Sequence, residues 1–200
     1  MTESPLTAKR ALDLLLVCLA SPVLAPVALM VGLVVRSRLG APVLFVQERA
    51  GQDGRPFRLY KFRSMLTAGP GLQSDEERLT PFGRALRATS LDELPSFVNV
   101  LRGDLSLVGP RPLPMAYIPR YGSKYARRLS VPPGVSGWAQ VHGRNSLGWR
   151  ERFELDLWYV DHRSALLDLR VLLATVTQVV RRADVSASDH ATMTEFRGFE

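Results

Sequence analysis

Two hundred residues set the size of one medium domain with an appendage, and 46% hydrophobic residues suffice for an ordinary core. The chain is basic, with 26 Lys+Arg against 19 Asp+Glu for a net charge of +7, and only Lys9, Lys61 and Lys124 are lysines. One cysteine, Cys18, excludes a disulfide framework and a cysteine zinc site, and His142, His162 and His190 lack metal-ligand spacing. Neither a G-x-S-x-G elbow nor a Walker loop occurs.

Leu14 to Val35, LLLVCLASPVLAPVALMVGLVV, carries no charge, and about 20 apolar residues cross a bilayer. Ser21-Pro22 and Pro26 break the hydrogen-bond ladder near its middle, where water is not at hand to repair it. Lys9 and Arg10 precede the segment and Arg36 and Arg38 follow it, so the positive-inside tendency draws both ends to one side. The residues alone leave a proline-kinked span and a re-entrant helix bent at Pro22 equally open. Asp13 reads as an interfacial carboxylate paired with Lys9 or Arg10.

Downstream, Leu44–Val46 and Phe57–Tyr60 are β-prone around an Asp53-Gly54 turn, which predicts a hairpin that packs on helices. Residues 67–76 read as a loop. Leu91 to Leu101 has helical spacing and stops near Arg102-Gly103. Ser106–Pro114 and Val131–Ser146 are rich in proline and glycine and read as irregular. Glu151–Val160 and Ser164–Arg182 read as helices, the second lying on the core or in a membrane interface. From Ala183 a polar tail follows.

The TSLDELP stretch sets two carboxylates side by side in this basic chain. Ser90 with Glu93 three residues on is a capping-box pattern, and Asp92 suits a helix N-terminus, although Pro95 makes the first turn irregular. Arg87, Arg111 and Arg144 stand near or in Gly/Pro-fixed loops, the setting in which arginines grip anions. Two carboxylates, several arginines and a divalent cation suit phosphoryl transfer.

The segments QERAGQDGRPFRLYKFRSM, RATSLDELPSFVNVLRGDLSLVGPRPLP, PPGVSGWAQVHGRN and FELDLWYV together resemble the bacterial sugar transferase family, the monotopic phosphoglycosyl transferases. The likeness runs from about Lys9 to Arg182, and the length and the HATMTEFRG tail are similar to the minimal, PglC-like members. The resemblance implies an α+β fold, predominantly helical with a small β-hairpin. It divides the chain into a re-entrant membrane helix with its flanks (1–40, broken at Ser21-Pro22), a catalytic domain with interfacial amphipathic helices (41–182) and a tail (183–200). It implies transfer of a phosphosugar from a UDP-sugar to polyprenyl (undecaprenyl) phosphate with release of UMP, at the cytoplasmic face of the bacterial inner membrane. A covalent aspartyl-phosphosugar intermediate and Mg2+ belong to that expectation.

Carried over, Asp92 is the nucleophile, and Glu93, with Asp92, holds magnesium. Arg87, Arg111, Pro112, Arg144, Lys61 and Asp156 are substrate-side residues, Asp156 being equally suited to a buried salt bridge. An N-acetylated amino sugar is the favoured donor, membrane lipids surround the chain, and a homo-oligomer stays open. The rivals are a metal-dependent transferase without a covalent intermediate and a membrane-attached adaptor for anionic lipid or a partner. A nucleic-acid partner is not expected, because the aromatics do not interleave with the basic residues.

Overall fold

The structure, a computed structural model, describes residues 5–69, 74–143, 147–181 and 195–199. Helix α1 (Pro5–Leu39) stays helical through Pro22 and Pro26. Pro22 has no N–H to offer the Cys18 carbonyl, and the Ser21 hydroxyl donates to that oxygen instead at 2.8 Å. The serine beside the proline thus repairs a gap in the ladder within an apolar stretch. Among the described residues α1 is the one helix long and apolar enough to cross a membrane.

Both ends of α1 are fastened to the rest of the molecule, while Leu19, Val23, Leu29, Met30 and Leu33 between them are exposed. Lys9 pairs with Asp168 at 2.5 Å, and Arg10 donates to the carbonyls of Val100 and Leu101. Asp13, 5% exposed, accepts from Ser106 Oγ at 2.7 Å and from the Leu107 N–H at 3.2 Å. The pairing of Asp13 with Lys9 or Arg10 expected from helical spacing is therefore replaced by tertiary bonds to a buried strand. At the other end Val35 is buried against Phe62 and Leu86, and Arg63 binds the carbonyls of Leu39 and Gly40.

Strands β1 (Leu44–Ala50) and β2 (Pro56–Phe62) form the expected antiparallel hairpin, in register from Leu44↔Phe62 to Ala50↔Pro56. Asp53 and Gly54 turn the chain with φ of 55° and 74°, backbone that glycine and aspartate tolerate best. Within 67–76, Ser74 caps the short α2 (Asp75–Arg78) in a full capping box with Glu77. Helix α3 (Pro81–Ala88) follows, capped by Thr80 with proline at its start. A 3-10 turn, Leu91–Ser96, then leads into α4 (Phe97–Arg102), which ends at Gly103 with φ 94°.

The stretches read as irregular contain a second sheet. Strand β3 (Ser106–Val108) pairs in parallel with β4 (Gly134–Ser136), beyond the short α5 (Gly122–Ala126). Each strand is three residues long, too short for a pattern of alternation to show. A Cβ on Gly134 would lie 2.1 Å from the Gly109 nitrogen, so only glycine permits this approach. Helices α6 (Trp138–Val141), α7 (Trp149–His162) and α8 (Ala165–Arg181) complete the fold. The main core joins Val17 of α1 to Leu59, Val100, Leu107, Tyr159 and Val171. A second, aromatic core gathers Tyr121, Tyr125 and Phe153 around Phe196, which is 1% exposed. The far end of the expected tail is thus packed rather than loose, and its Glu195 pairs with Arg120 at 2.8 Å.

Candidate active site

The carboxylate pair sits in the 3-10 turn. Ser90, just before it, has φ 55°, a left-handed conformation uncommon for serine, and its side chain caps nothing. The capping box expected of Ser90 and Glu93 does not form, because Glu93 has stronger partners. Lys61, the sixth residue of β2, donates to Glu93 Oε1 at 2.5 Å, and Arg111 approaches the same oxygen at 3.4 Å. Charge-assisted bonds of this kind outweigh a neutral cap. The Glu93 side chain is 22% exposed and that of Lys61 19%.

Asp92 is buried, and among the described residues neither of its oxygens accepts a hydrogen bond. Burial, and then the neighbouring Glu93, push its carboxyl up, with Lys61, Arg87 and Arg111 pulling against them. Glu93 moves the other way. Burial raises it, but Lys61 and Arg111 outweigh that and hold it well below the ordinary carboxylate range. Two adjacent acids are thus driven apart by their surroundings, as acid and base pairs in active sites are.

Arg87, on α3, donates from Nε to Ser64 Oγ at 2.9 Å. A Cβ on Gly83 would fall 1.8 Å from the Ser64 carbonyl oxygen, so glycine there lets α3 lie directly on this segment. Arg111 and Pro112 lie in the loop after β3 and line a small cleft with Lys61 and Glu93. Arg144 lies outside the described residues. Asp156 is buried on α7. It is 1% exposed, and its Oδ2 accepts from Arg128 Nε at 3.0 Å and Nη2 at 2.7 Å. The same Nη2 donates to the Arg111 carbonyl at 2.7 Å. Asp156 therefore forms the buried salt bridge with Arg128 and is linked through it to the Arg111 backbone. Burial pushes its carboxyl up and the Arg128 fork opposes this.

Sequence reasoning passed over Arg128, Ser64 and Arg49. The position of Asp156 on α7 carried a signal, since it shares the buried face with Phe153, Leu157 and Tyr159. A lone acid on such a face needs a cationic partner. A wider groove of about 670 Å³ runs along α6 and α7, lined by Trp138, Trp158, His142 and His162, and contains neither Asp92 nor Glu93.

The donor set fits magnesium. Mg2+ is held by one or two carboxylates together with water and substrate phosphates, not by an all-protein cage. Among the described residues no cluster of three or more acidic, histidine or cysteine ligands exists, while Asp92 and Glu93 supply two carboxylates, one of them without a donor.

The family model for bacterial sugar transferase matches residues 4–182. An uncharacterized sugar transferase, EpsL, of Bacillus subtilis is 51% identical over 82% of this chain and 83% of its own length. A UDP-N-acetylgalactosamine-undecaprenyl-phosphate N-acetylgalactosaminephosphotransferase of Aeromonas hydrophila is 36% identical over 90% of this chain but 46% of its own length. A UDP-glucose:undecaprenyl-phosphate glucose-1-phosphate transferase of Caulobacter vibrioides is 38% identical over 86% of this chain and 69% of its own. With the match running from α1 through α8 and taking in the carboxylate pair and the loops around it, the chain belongs to the bacterial sugar transferase family.

Proposed function

We propose that this chain transfers a phosphosugar from a UDP-sugar to polyprenyl phosphate, releasing UMP, as the first membrane step of glycoconjugate assembly. The observation that carries the reading is the buried Asp92 carboxylate, free of hydrogen bonds among the described residues, beside a Glu93 already held ionised by Lys61 and Arg111. A carboxylate with no donor on it keeps its lone pairs for attack, and it needs no separate base once ionised.

In the first step an Asp92 oxygen attacks the β-phosphorus of the UDP-sugar. The bond from that phosphorus to the bridging oxygen breaks, and UMP leaves with the oxygen and its electron pair. In the second step a phosphate oxygen of the polyprenyl phosphate attacks the aspartyl-bound phosphorus, which returns Asp92 as a carboxylate and forms the polyprenyl diphosphosugar. Magnesium, held by Glu93 with Asp92, would neutralise the charge of the diphosphate. Lys61 and Arg111 keep Glu93 in place, and Arg87 and Arg111 offset phosphate charge near Asp92.

Helix α1, fastened at both ends to the catalytic domain and exposed between them, supports a re-entrant helix that enters the cytoplasmic face of the inner membrane and returns. An N-acetylated amino sugar is the first donor to test. Relatives named for N-acetylgalactosamine, glucose and galactose call for a panel of UDP-sugars.

The test uses detergent-solubilised protein, magnesium and UDP-sugars labelled in the β-phosphate, without acceptor. UMP release together with label on the protein, both absent in Asp92→Asn, is the expected result. Turnover that requires polyprenyl phosphate and never labels the protein would replace the covalent route with direct transfer.

A further inference from the structure

We propose that Arg49, on β1, is a phosphate-binding residue that grips an oxyanion together with Lys61 and Arg111, an assignment that rests on the phosphosugar transfer proposed above. The Ala50 N–H donates to the Leu113 carbonyl at 2.9 Å, which stitches the end of β1 to the loop bearing Arg111 and Pro112. Arg49 consequently lines the same cleft as Lys61, Glu93, Arg111 and Pro112.

The Arg49 guanidinium has neutral partners there and one nitrogen unsatisfied. Its Nη2 donates to Gln47 Oε1 at 2.6 Å, its Nη1 reaches the Pro112 carbonyl only at 3.4 Å, and its Nε is buried with no hydrogen-bond partner. Among the described residues no carboxylate pairs with Arg49, and the one acid of the cleft, Glu93, is taken by both Lys61 and Arg111. Burial, followed by the nearby Arg111, pushes Arg49 down to about 10.

Three cations line one cleft around a single carboxylate, two of them paired with it, and such a cluster is stabilised when an anion enters it. A phosphate oxyanion has the charge and the acceptor geometry that an arginine fork matches. A purely structural role is the weaker account. The Ala50–Leu113 backbone bond already joins the two segments, and a 3.4 Å contact adds little to it.

The experiment measures binding of inorganic pyrophosphate to the detergent-solubilised full chain by calorimetry, with Arg127→Gln, at an exposed surface ion pair, as the control. Arg49→Gln is expected to weaken pyrophosphate about 10- to 100-fold, the range for losing a hydrogen bond to a charged group. Arg49→Lys, which keeps the charge and loses the fork, should fall between. Wild-type affinity in Arg49→Gln, or no binding by the wild type, overturns the assignment. If the glutamine variant does not fold, the lysine variant decides: weaker binding at an unchanged melting temperature supports it, and unchanged affinity refutes it.

Two kinetic arms identify the source of the phosphate. A raised KM for the UDP-sugar in protein labelling without acceptor assigns Arg49 to the donor diphosphate. Unchanged labelling with a raised KM for polyprenyl phosphate assigns it to the acceptor. Pyrophosphate binding that depends on Arg49, in a wild-type protein that transfers no sugar, would sink the transfer reading and leave the anion site standing.

Discussion

Replacing Asp92 by asparagine should stabilise the metal-free protein, and more so at pH 7.5 than at pH 5. Burial, and then Glu93, push the Asp92 carboxyl up from 3.8 to about 6. At about 1.4 kcal/mol per tenfold change, keeping it ionised in the folded state costs roughly 3 kcal/mol above that pH. The folded state holds the proton more tightly than the unfolded one. The wild type therefore gains stability as the pH falls through about 6, and by pH 5 roughly half of the penalty is gone. Glu93, held low in the fold, loses its own contribution only as the pH falls below its ordinary value of 4.5, outside this window. An asparagine amide buried without a partner costs about 1–2 kcal/mol at every pH, so the variant should be more stable by roughly 1–2 kcal/mol at pH 7.5 and near parity at pH 5. For a chain of this size the difference between the two pH values corresponds to about 3–6 °C in melting temperature. Thermal unfolding in detergent with a chelator, wild type against variant, reads it directly. A gap that is equal at both pH values, or wider in acid, would refute the claim that Asp92 is a desolvated carboxylate.

Asp156→Ala should destabilise the fold by about 3–5 kcal/mol, since it leaves Arg128 buried and unpaired, and Arg128→Met with Asp156→Leu should recover most of that in the same melts. Gly83→Ala should shift α3 off Ser64, costing about 1–3 kcal/mol in unfolding and lowering the rate of protein labelling through Arg87. Phe196→Ala should cost about 3–5 kcal/mol by opening the aromatic core, and a melting temperature within a degree of wild type would show that the 195–199 segment does not hold α7.

The hairpin was legible because β-prone residues flank an Asp-Gly turn, a local signal that tertiary packing only extends. Helices α7 and α8 were legible in the same way, from spacing. The β3–β4 pair was not, because strands of three residues carry no period and their partners lie 28 positions apart. What marked them was glycine at 109 and 134, read as loop when it in fact permits two backbones to touch. The carboxylate pair stood out for its chemistry, but its local reading as a capping box failed. Lys61 and Arg111 reach Glu93 from 32 and 18 residues away, distances that no window of sequence spans. Arg128 offered no signal at all, since arginine beside arginine in a polar stretch looks like surface until Asp156 is placed beneath it.

The long apolar helix α1 and the carboxylate pair are also tied together by a short chain of contacts. Asn99, wholly buried, accepts from the Tyr60 N–H at 3.2 Å and donates to the Arg58 carbonyl at 2.7 Å. It thereby locks α4 to β2 beside Lys61. Arg10 of α1 binds the carbonyl of the next residue, Val100, and Asp13 binds the strand that runs directly into the Arg111 loop. The residues that seat α1 are thus one or two bonds removed from those that hold Glu93. Close packing along these contacts gives a shift of α1 a route to Lys61 and Arg111. The network fixes Glu93, and with it the adjacent Asp92, relative to α1, which among the described residues is the one helix long and apolar enough to cross a membrane.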